Sequence, residues 1–190
     1  MKYQDKINGT DKLISYQFYS MFIKTNMNRR KTTNMIILHC SATKQGADYK
    51  AADIDKWHKQ QGWECIGYHY VIDLNGTVEP GRNEAMVGAH CVGKNSNSIG
   101  ICYIGGVDMN GKSKDTRTYE QKQAMYKLVD KMLQKYNLII TDVYGHRAFA
   151  AKECPSFTTE QFRQEFKQWK RDNIANYVVC PDCGKIISIS

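Results

Sequence analysis

The sequence predicts an α/β fold in which helices flank a central mixed β-sheet. Three observations carry that prediction. Met35-Ile36-Ile37-Leu38 is a continuous apolar run of the kind found in strands buried on both faces. Between residues 118 and 136, apolar side chains return at helical period. An Asn75-Gly76 pair after a segment of strand formers marks a hairpin, and so an antiparallel pair among strands otherwise separated by helices.

The elements follow in order. The first apolar run ends at His39 and gives way to a polar loop over 41–48. Residues 51–61 read as a helix with Ile54, Trp57 and His58 on one side and Gly62 as the stop. Residues 66–72 are rich in strand formers, and both Asn75 and Gly76 tolerate the positive φ of a tight hairpin. Residues 98–104 form another apolar strand, closed by Gly105-Gly106. Thr118 and Gln121 stand at capping-box spacing ahead of the helix carrying Met125, Leu128, Val129, Met132 and Leu133. A strand is expected over 138–144, and a last helix over 159–170 that buries Phe162, Phe166 and Trp169.

With 190 residues, the chain is long enough for one domain with a substantial core and too short for two comfortable ones. The organisation expected is a basic extension over 1–34, one domain over 35–170 and a tail over 171–190. The net charge of +8 is concentrated in the extension, which carries +5 and leaves +3 for everything else. A dedicated nucleic-acid binder would gather basic residues on one folded face, so no specific nucleic-acid partner is expected; an anionic polymer such as a bacterial cell wall suits the mild positive charge. No apolar run approaches the length of a membrane span. Residues 13–23 are interrupted by Gln17 and two serines and make a poor signal-peptide core. Synthesis without a clear secretory signal is therefore expected. Seven cysteines at irregular spacing do not form a disulfide framework, and Cys40, Cys65 and Cys102 lie in or beside apolar segments as small buried hydrophobes. That pattern suits folding in a reducing compartment.

Catalytic zinc sites keep three protein ligands and leave the fourth position to water. His39 ends a predicted strand, His146 follows another, and Cys154 lies in the next loop, with seven residues between it and His146, before Pro155. Strand ends converge over one edge of a sheet, so these three are a candidate metal set. On spacing alone the alternative stays open: a satisfied strand-end histidine and a buried thiol.

The residues around these positions resemble a known family. Ile37-Leu38-His39-Cys40-Ser41-Ala42-Thr43 is similar to the opening motif of type 2 N-acetylmuramoyl-L-alanine amidases, which include bacteriophage amidases called lysozymes and the peptidoglycan recognition proteins. Trp57-His58-Lys59-Gln60-Gln61-Gly62-Trp63, Gly67-Tyr68-His69-Tyr70 and the hairpin Gly76-Thr77-Val78-Glu79-Pro80-Gly81-Arg82 follow in the family's order. So do Val87-Gly88-Ala89-His90, Asn97-Ser98-Ile99-Gly100, Gly145-His146-Arg147 and Lys152-Glu153-Cys154-Pro155-Ser156-Phe157. The resemblance covers about 35–166 and is nearest the phage-type branch. It implies an amidase and peptidoglycan-recognition-protein-like fold and one catalytic zinc held by His39, His146 and Cys154. The implied reaction is hydrolysis of the amide joining N-acetylmuramic acid to L-alanine of peptidoglycan. It further implies that Tyr68 hydrogen-bonds the attacking water or the tetrahedral centre, that Lys152 stabilises the oxyanion, and that His90 lines the substrate groove. His69 alternates with Tyr68 and stays outside the metal set, and His58 beside Trp57 is structural.

Three other readings remain. A muropeptide receptor would bind without cutting, although non-catalytic relatives characteristically lack the cysteine that Cys154 supplies. A regulator would contact a protein partner through the basic, aromatic residues 1–34. A thiol hydrolase pairing Cys154 with His146 would need no metal. Separately, Cys180-Pro181-Asp182-Cys183-Gly184 resembles one knuckle of a zinc ribbon without its second half. It reads equally as a site shared between chains, a redox pair or two free thiols in a tail.

Overall fold

The computed structural model describes residues 29–174, together with the backbone of the paired strands Tyr177–Val179 and Ile186–Ser188. The expected central sheet is present. Its strands are β1 (Met35–Cys40), β3 (Tyr70–Ile72), β4 (Val78–Pro80), β5 (Ser98–Tyr103) and β7 (Val143–Gly145), in the spatial order β4-β3-β5-β1-β7. β1 runs parallel to β5 and β7, β3 runs parallel to β5, and β4 alone is antiparallel. A small parallel pair, β2 (Thr43–Lys44) with β6 (Gly106–Val107), stands apart, and β8 (Tyr177–Val179) pairs antiparallel with β9 (Ile186–Ser188).

Three helices, α1 (Ala51–Gln60), α2 (Tyr119–Tyr136) and α3 (Thr159–Ile174), cover the sheet. The path from β1 to β3 and the path from β5 to β7 cross the sheet in opposite directions, so a shared handedness puts α1 and α2 on opposite faces. The core divides accordingly. Ile36, Leu38, Ile99, Ile101 and Tyr103 join Met125, Val129 and Phe162 on the α2 and α3 face. Val71, Cys102 and Ile104 join Ile54 on the α1 face. Each fully buried apolar side chain here contributes roughly 1.5–3 kcal/mol. Period-two alternation along β1 thus sends Leu38 and Cys40 to one face and leaves His39, fully buried, on the other.

The capping box starting α2 forms as expected: Gln121 N–H donates to Thr118 Oγ1 at 3.0 Å, and Thr118 N–H donates to Gln121 Oε1 at 3.0 Å. Several boundaries move. The strand expected over 66–72 is regular only from Tyr70, because Gly67, Tyr68 and His69 spend their carbonyls on Ala89, Arg82 and Gly81 in the neighbouring loops. The hairpin is longer than a two-residue turn; only Gly76 takes positive φ (+83°), while Gly76 N–H closes back on the Asp73 carbonyl. The strand expected over 138–144 begins at Val143, since Asp142 caps the Ile139 N–H at 2.9 Å and winds Ile140–Asp142 into a 3₁₀ turn. Cys40 and Cys102 are buried, but Cys65 is half-exposed.

The fold also reaches upstream of Met35. Arg30 N–H donates to the Ala85 carbonyl at 2.8 Å, and its guanidinium donates to the Glu84 carbonyl (2.5 Å), the Ser98 carbonyl (3.2 Å) and Tyr136 Oη (3.3 Å). Hydrophobic patterning does not register this anchor, because a guanidinium with five donors makes it. At the other end α3 continues to Ile174, past the expected stop at 170. The partner contact expected of residues 1–34 falls on residues of which 1–28 lie outside the described part, as do Cys180 and Cys183. Among the described residues, no helix is long and apolar enough to cross a membrane.

Candidate metal centre

The register of the sheet assembles the site. Leu38 lies opposite Gly145, so the next residue along each chain segment, His39 within β1 and His146 at the start of the 3₁₀ turn after β7, emerges at the same carboxyl edge, where open α/β sheets bind their ligands. The two rings stand 4.6 Å apart between centroids. Cys154 returns to the edge on a loop held from several directions. Arg147 N–H donates to the Cys154 carbonyl (2.8 Å), Tyr103 Oη donates to the Pro155 carbonyl (2.9 Å), and Ser156 Oγ donates to the Gly106 carbonyl (2.7 Å). Cys154 Sγ then sits 3.7 Å from His39 Nδ1 and accepts from the Cys40 N–H at 3.3 Å. One donor atom from each of His39, His146 and Cys154 lies within 4.8 Å of the others, a set that could hold a metal ion.

The electrostatics suit imidazole ligation. Burial, reinforced by the neighbouring His90, His146 and Lys152, holds His39 well below the ordinary histidine range, and burial lowers His146 as well. Both rings therefore offer lone pairs. Contact with the Cys40 thiol and burial push the Cys154 thiol up, while the same contact brings Cys40 down. A divalent cation among these groups would favour the Cys154 thiolate instead.

The remaining expected residues surround this trio. The Tyr68 ring packs on His39 at 5.0 Å, and burial raises its phenol well above the usual tyrosine value, so it stays protonated. Lys152 is exposed on a cavity of about 410 Å³ whose lining also includes Trp63, His146 and Phe149. A larger groove of about 820 Å³ between the β3–β4 hairpin and α2 shares no residue with this centre. His90 touches the smaller cavity, yet it is largely buried and its ring is taken up internally: Nδ1 lies 3.0 Å from His39 Nε2, and Nε2 lies 3.3 Å from Ser98 Oγ. His58 accepts from the Gly67 N–H at 3.0 Å and lies against Trp63, the structural place expected of it. His69 is buried, accepting from the Gly100 N–H (2.9 Å) at Nδ1 and facing the Met86 carbonyl (3.0 Å) with Nε2.

Residues 29–157 match the family described as N-acetylmuramoyl-L-alanine amidase. The chain belongs to that family. Over 150 residues this amidase-family chain is 39% identical to the endolysin of Escherichia phage T7, spanning 79% of itself and 93% of that relative. Among solved structures it is similar to the N-acetylmuramoyl-L-alanine amidase LysC from Clostridium intestinale URNW, with 32% identity, a TM-score of 0.61, and coverage of 72% of this chain and 86% of that one. It is also similar to the peptidoglycan recognition protein LCa and LCx ectodomain complex bound to tracheal cytotoxin, with 26% identity, a TM-score of 0.58, and 75% and 85% coverage.

Two features of the amidase fold around the centre escaped sequence reasoning. One is the bond between His39 and His90; the other is Arg117. The Arg117 side chain is fully buried, pairs with Asp115 (2.8 Å) and Glu165 (3.0 Å), and lies 3.7 Å over the ring of Phe157 in the loop that carries Cys154. An arginine ahead of a helix gives no local sign of burial, and only its carboxylate partners 48 residues apart in α3 and two residues back explain it.

Proposed function

We propose that the protein is a zinc-dependent N-acetylmuramoyl-L-alanine amidase, cleaving the amide between N-acetylmuramic acid and L-alanine in bacterial peptidoglycan. The convergence of two imidazoles and one thiol within 4.8 Å carries this reading. Nitrogen and sulfur donors, three in number beside a cleft, fit the ligand set of catalytic zinc. His39, His146 and Cys154 would hold the zinc, which when bound would supply Lewis acidity and an activated water at neutral pH.

The chain's own residues do the rest. Tyr68, kept protonated by burial, donates a hydrogen bond to the attacking water or to the tetrahedral centre. Lys152, exposed on the same cavity as His146, brings a positive charge to the oxyanion. Trp63 and Phe149 offer apolar walls to a muropeptide. Similarity to a phage endolysin and to recognition proteins solved with tracheal cytotoxin supports that substrate class.

The test combines metal analysis of the purified full chain with mass spectrometry of digested peptidoglycan before and after chelation. Cys154→Ser is expected to lose both stoichiometric zinc and turnover. Tyr68→Phe is expected to keep zinc while turnover falls by about 100-fold or more, the scale of a lost proton-donating partner. Stoichiometric zinc in Cys154→Ser, or digestion that survives exhaustive chelation, refutes the assignment.

A further inference from the structure

His90 makes a bond whose direction can be derived. Ser98 Oγ has one proton, and it is committed to the Lys94 carbonyl at 2.7 Å, because a carbonyl can only accept. Towards His90, Ser98 Oγ is therefore an acceptor, and the proton on that side belongs to His90 Nε2 at 3.3 Å. The ring makes no hydrogen bond to a carboxylate among the described residues, so it carries that one proton and leaves Nδ1 bare. A bare Nδ1 can only accept, and at 3.0 Å the donor is His39 Nε2. His39 is thereby left with a lone pair on Nδ1, the nitrogen that faces Cys154.

The backbone makes room for this chain of bonds. A Cβ on Gly100 would come within 2.5 Å of His90 Cγ and Cδ2, and one on Gly88 within 2.5 Å of Cδ2. The ring stands in a slot that two glycines leave free. Asn95 Oδ1 fixes the segment beneath it by accepting from the His90 and Cys91 N–H groups, each at 2.8 Å.

We propose that His90 is a positioning residue: with Ser98 and the Lys94 carbonyl, it locks His39 in the tautomer that presents Nδ1 to the metal, and so sets how tightly zinc is held. The proposal rests on the zinc reading above. A second partner on a ligating histidine fixes its tautomer and orientation, and removing such a partner typically weakens metal binding by about 10–100-fold.

Zinc affinity of the full chain is measured by competition with a chromophoric chelator, alongside the visible spectrum of the cobalt-substituted protein. In His90→Leu, a side chain that fills the slot without accepting, zinc binding is expected to weaken by about 10–100-fold, with an altered cobalt spectrum. His90→Asn can return an acceptor to the position of Nδ1 and is expected to restore most of that loss. Ser98→Ala is expected to weaken binding in the same sense but less. A ring that serves only packing predicts the opposite order, with Leu tolerated and Asn not. Native affinity in His90→Leu or Ser98→Ala, or Asn binding more weakly than Leu, overturns the proposal while the zinc reading stands. A wild-type chain that binds no zinc overturns both. Should His90→Leu fail to fold by circular dichroism, Ser98→Ala decides.

Discussion

Arg117→Met tests whether the loop carrying Cys154 is braced by buried charge. The substitution keeps a long side chain under Phe157 but removes the guanidinium that pairs with Asp115 at 2.8 Å and Glu165 at 3.0 Å. Breaking a buried ion pair by removing one partner costs about 3–5 kcal/mol, most of it from the charge left without compensation. Here the two carboxylates retain 20% and 24% exposure, and Lys122 Nζ remains 3.5 Å from Glu165. The lower end applies, about 3 kcal/mol. For a chain of this size that corresponds to a fall in Tm of roughly 6–12 °C. Urea unfolding followed by circular dichroism should show a lower midpoint at unchanged slope, because the surface exposed on unfolding is the same. Adding Asp115→Asn and Glu165→Gln to Arg117→Met removes the orphaned charges and should recover much of the loss. A loss below about 1 kcal/mol for Arg117→Met, or no recovery in the triple variant, would refute the account of the cluster as a buried, mutually compensated network.

Two further predictions concern the opposite edge of the domain. Glu84 is reached by Lys135 at 2.6 Å and by the hydroxyls of Tyr70 and Tyr136; burial alone would raise its carboxyl, but these bonds outweigh it and hold the group at about 2 against an ordinary 4.5. A carboxylate depressed on folding stabilises above its unfolded value and loses that contribution as pH falls. The wild-type chain should therefore be more stable than Glu84→Gln at neutral pH, with the difference in Tm shrinking between pH 4.5 and about 2; a difference independent of pH would count against the ionised group. Arg30→Ala should lower stability by about 2 kcal/mol, the scale of charged hydrogen bonds. In urea titrations a chain starting at Arg29 should be more stable than one starting at Met35, whose loss should resemble that of Arg30→Ala; equal stability of the two truncations would show residues 29–34 to be passive.

What the sequence made legible was whatever local pattern encodes. Met35–Leu38 had the pattern of a doubly buried strand, Thr118 and Gln121 announced their helix, and the candidate histidines were visible because each stands at or just beyond a strand end, with Cys154 in the loop that follows. The features that stayed hidden are those made by distant partners. Asp142 turns its own segment away from the ladder by capping Ile139, a choice that β-propensity over 138–144 does not register. Arg30 was set aside with a basic extension because charge reads as solvated until its acceptors are known. His90 was expected at a substrate groove, and it does touch the cavity. Its bond to His39 depends on how the β5 segment around Ser98 and Gly100 meets the loop through Gly88, a matter of tertiary placement.

The same placement explains why the centre can be rigid without being crowded. β1 is hydrogen-bonded on both sides, with Met35 opposite Ser98 and Leu38 opposite Gly145, so a slip of one residue would exchange the faces of Leu38 and His39 and bury the wrong side chain in each core. The hydrophobic pattern that fixes β1 therefore also fixes the direction of the His39 ring. Ser98 belongs to β5, the strand paired with β1, and shares its register, so the acceptor end of the His90 chain moves with His39 rather than independently of it. His146 follows from β7 on the other side. Only Cys154 comes from a loop, and that loop is tied to β5 through Tyr103, to β6 through Gly106 and to the His146 turn through Arg147. A candidate ligand set built in this way would have its orientational cost met largely during folding, and His146 at the same time lines the cavity beside it.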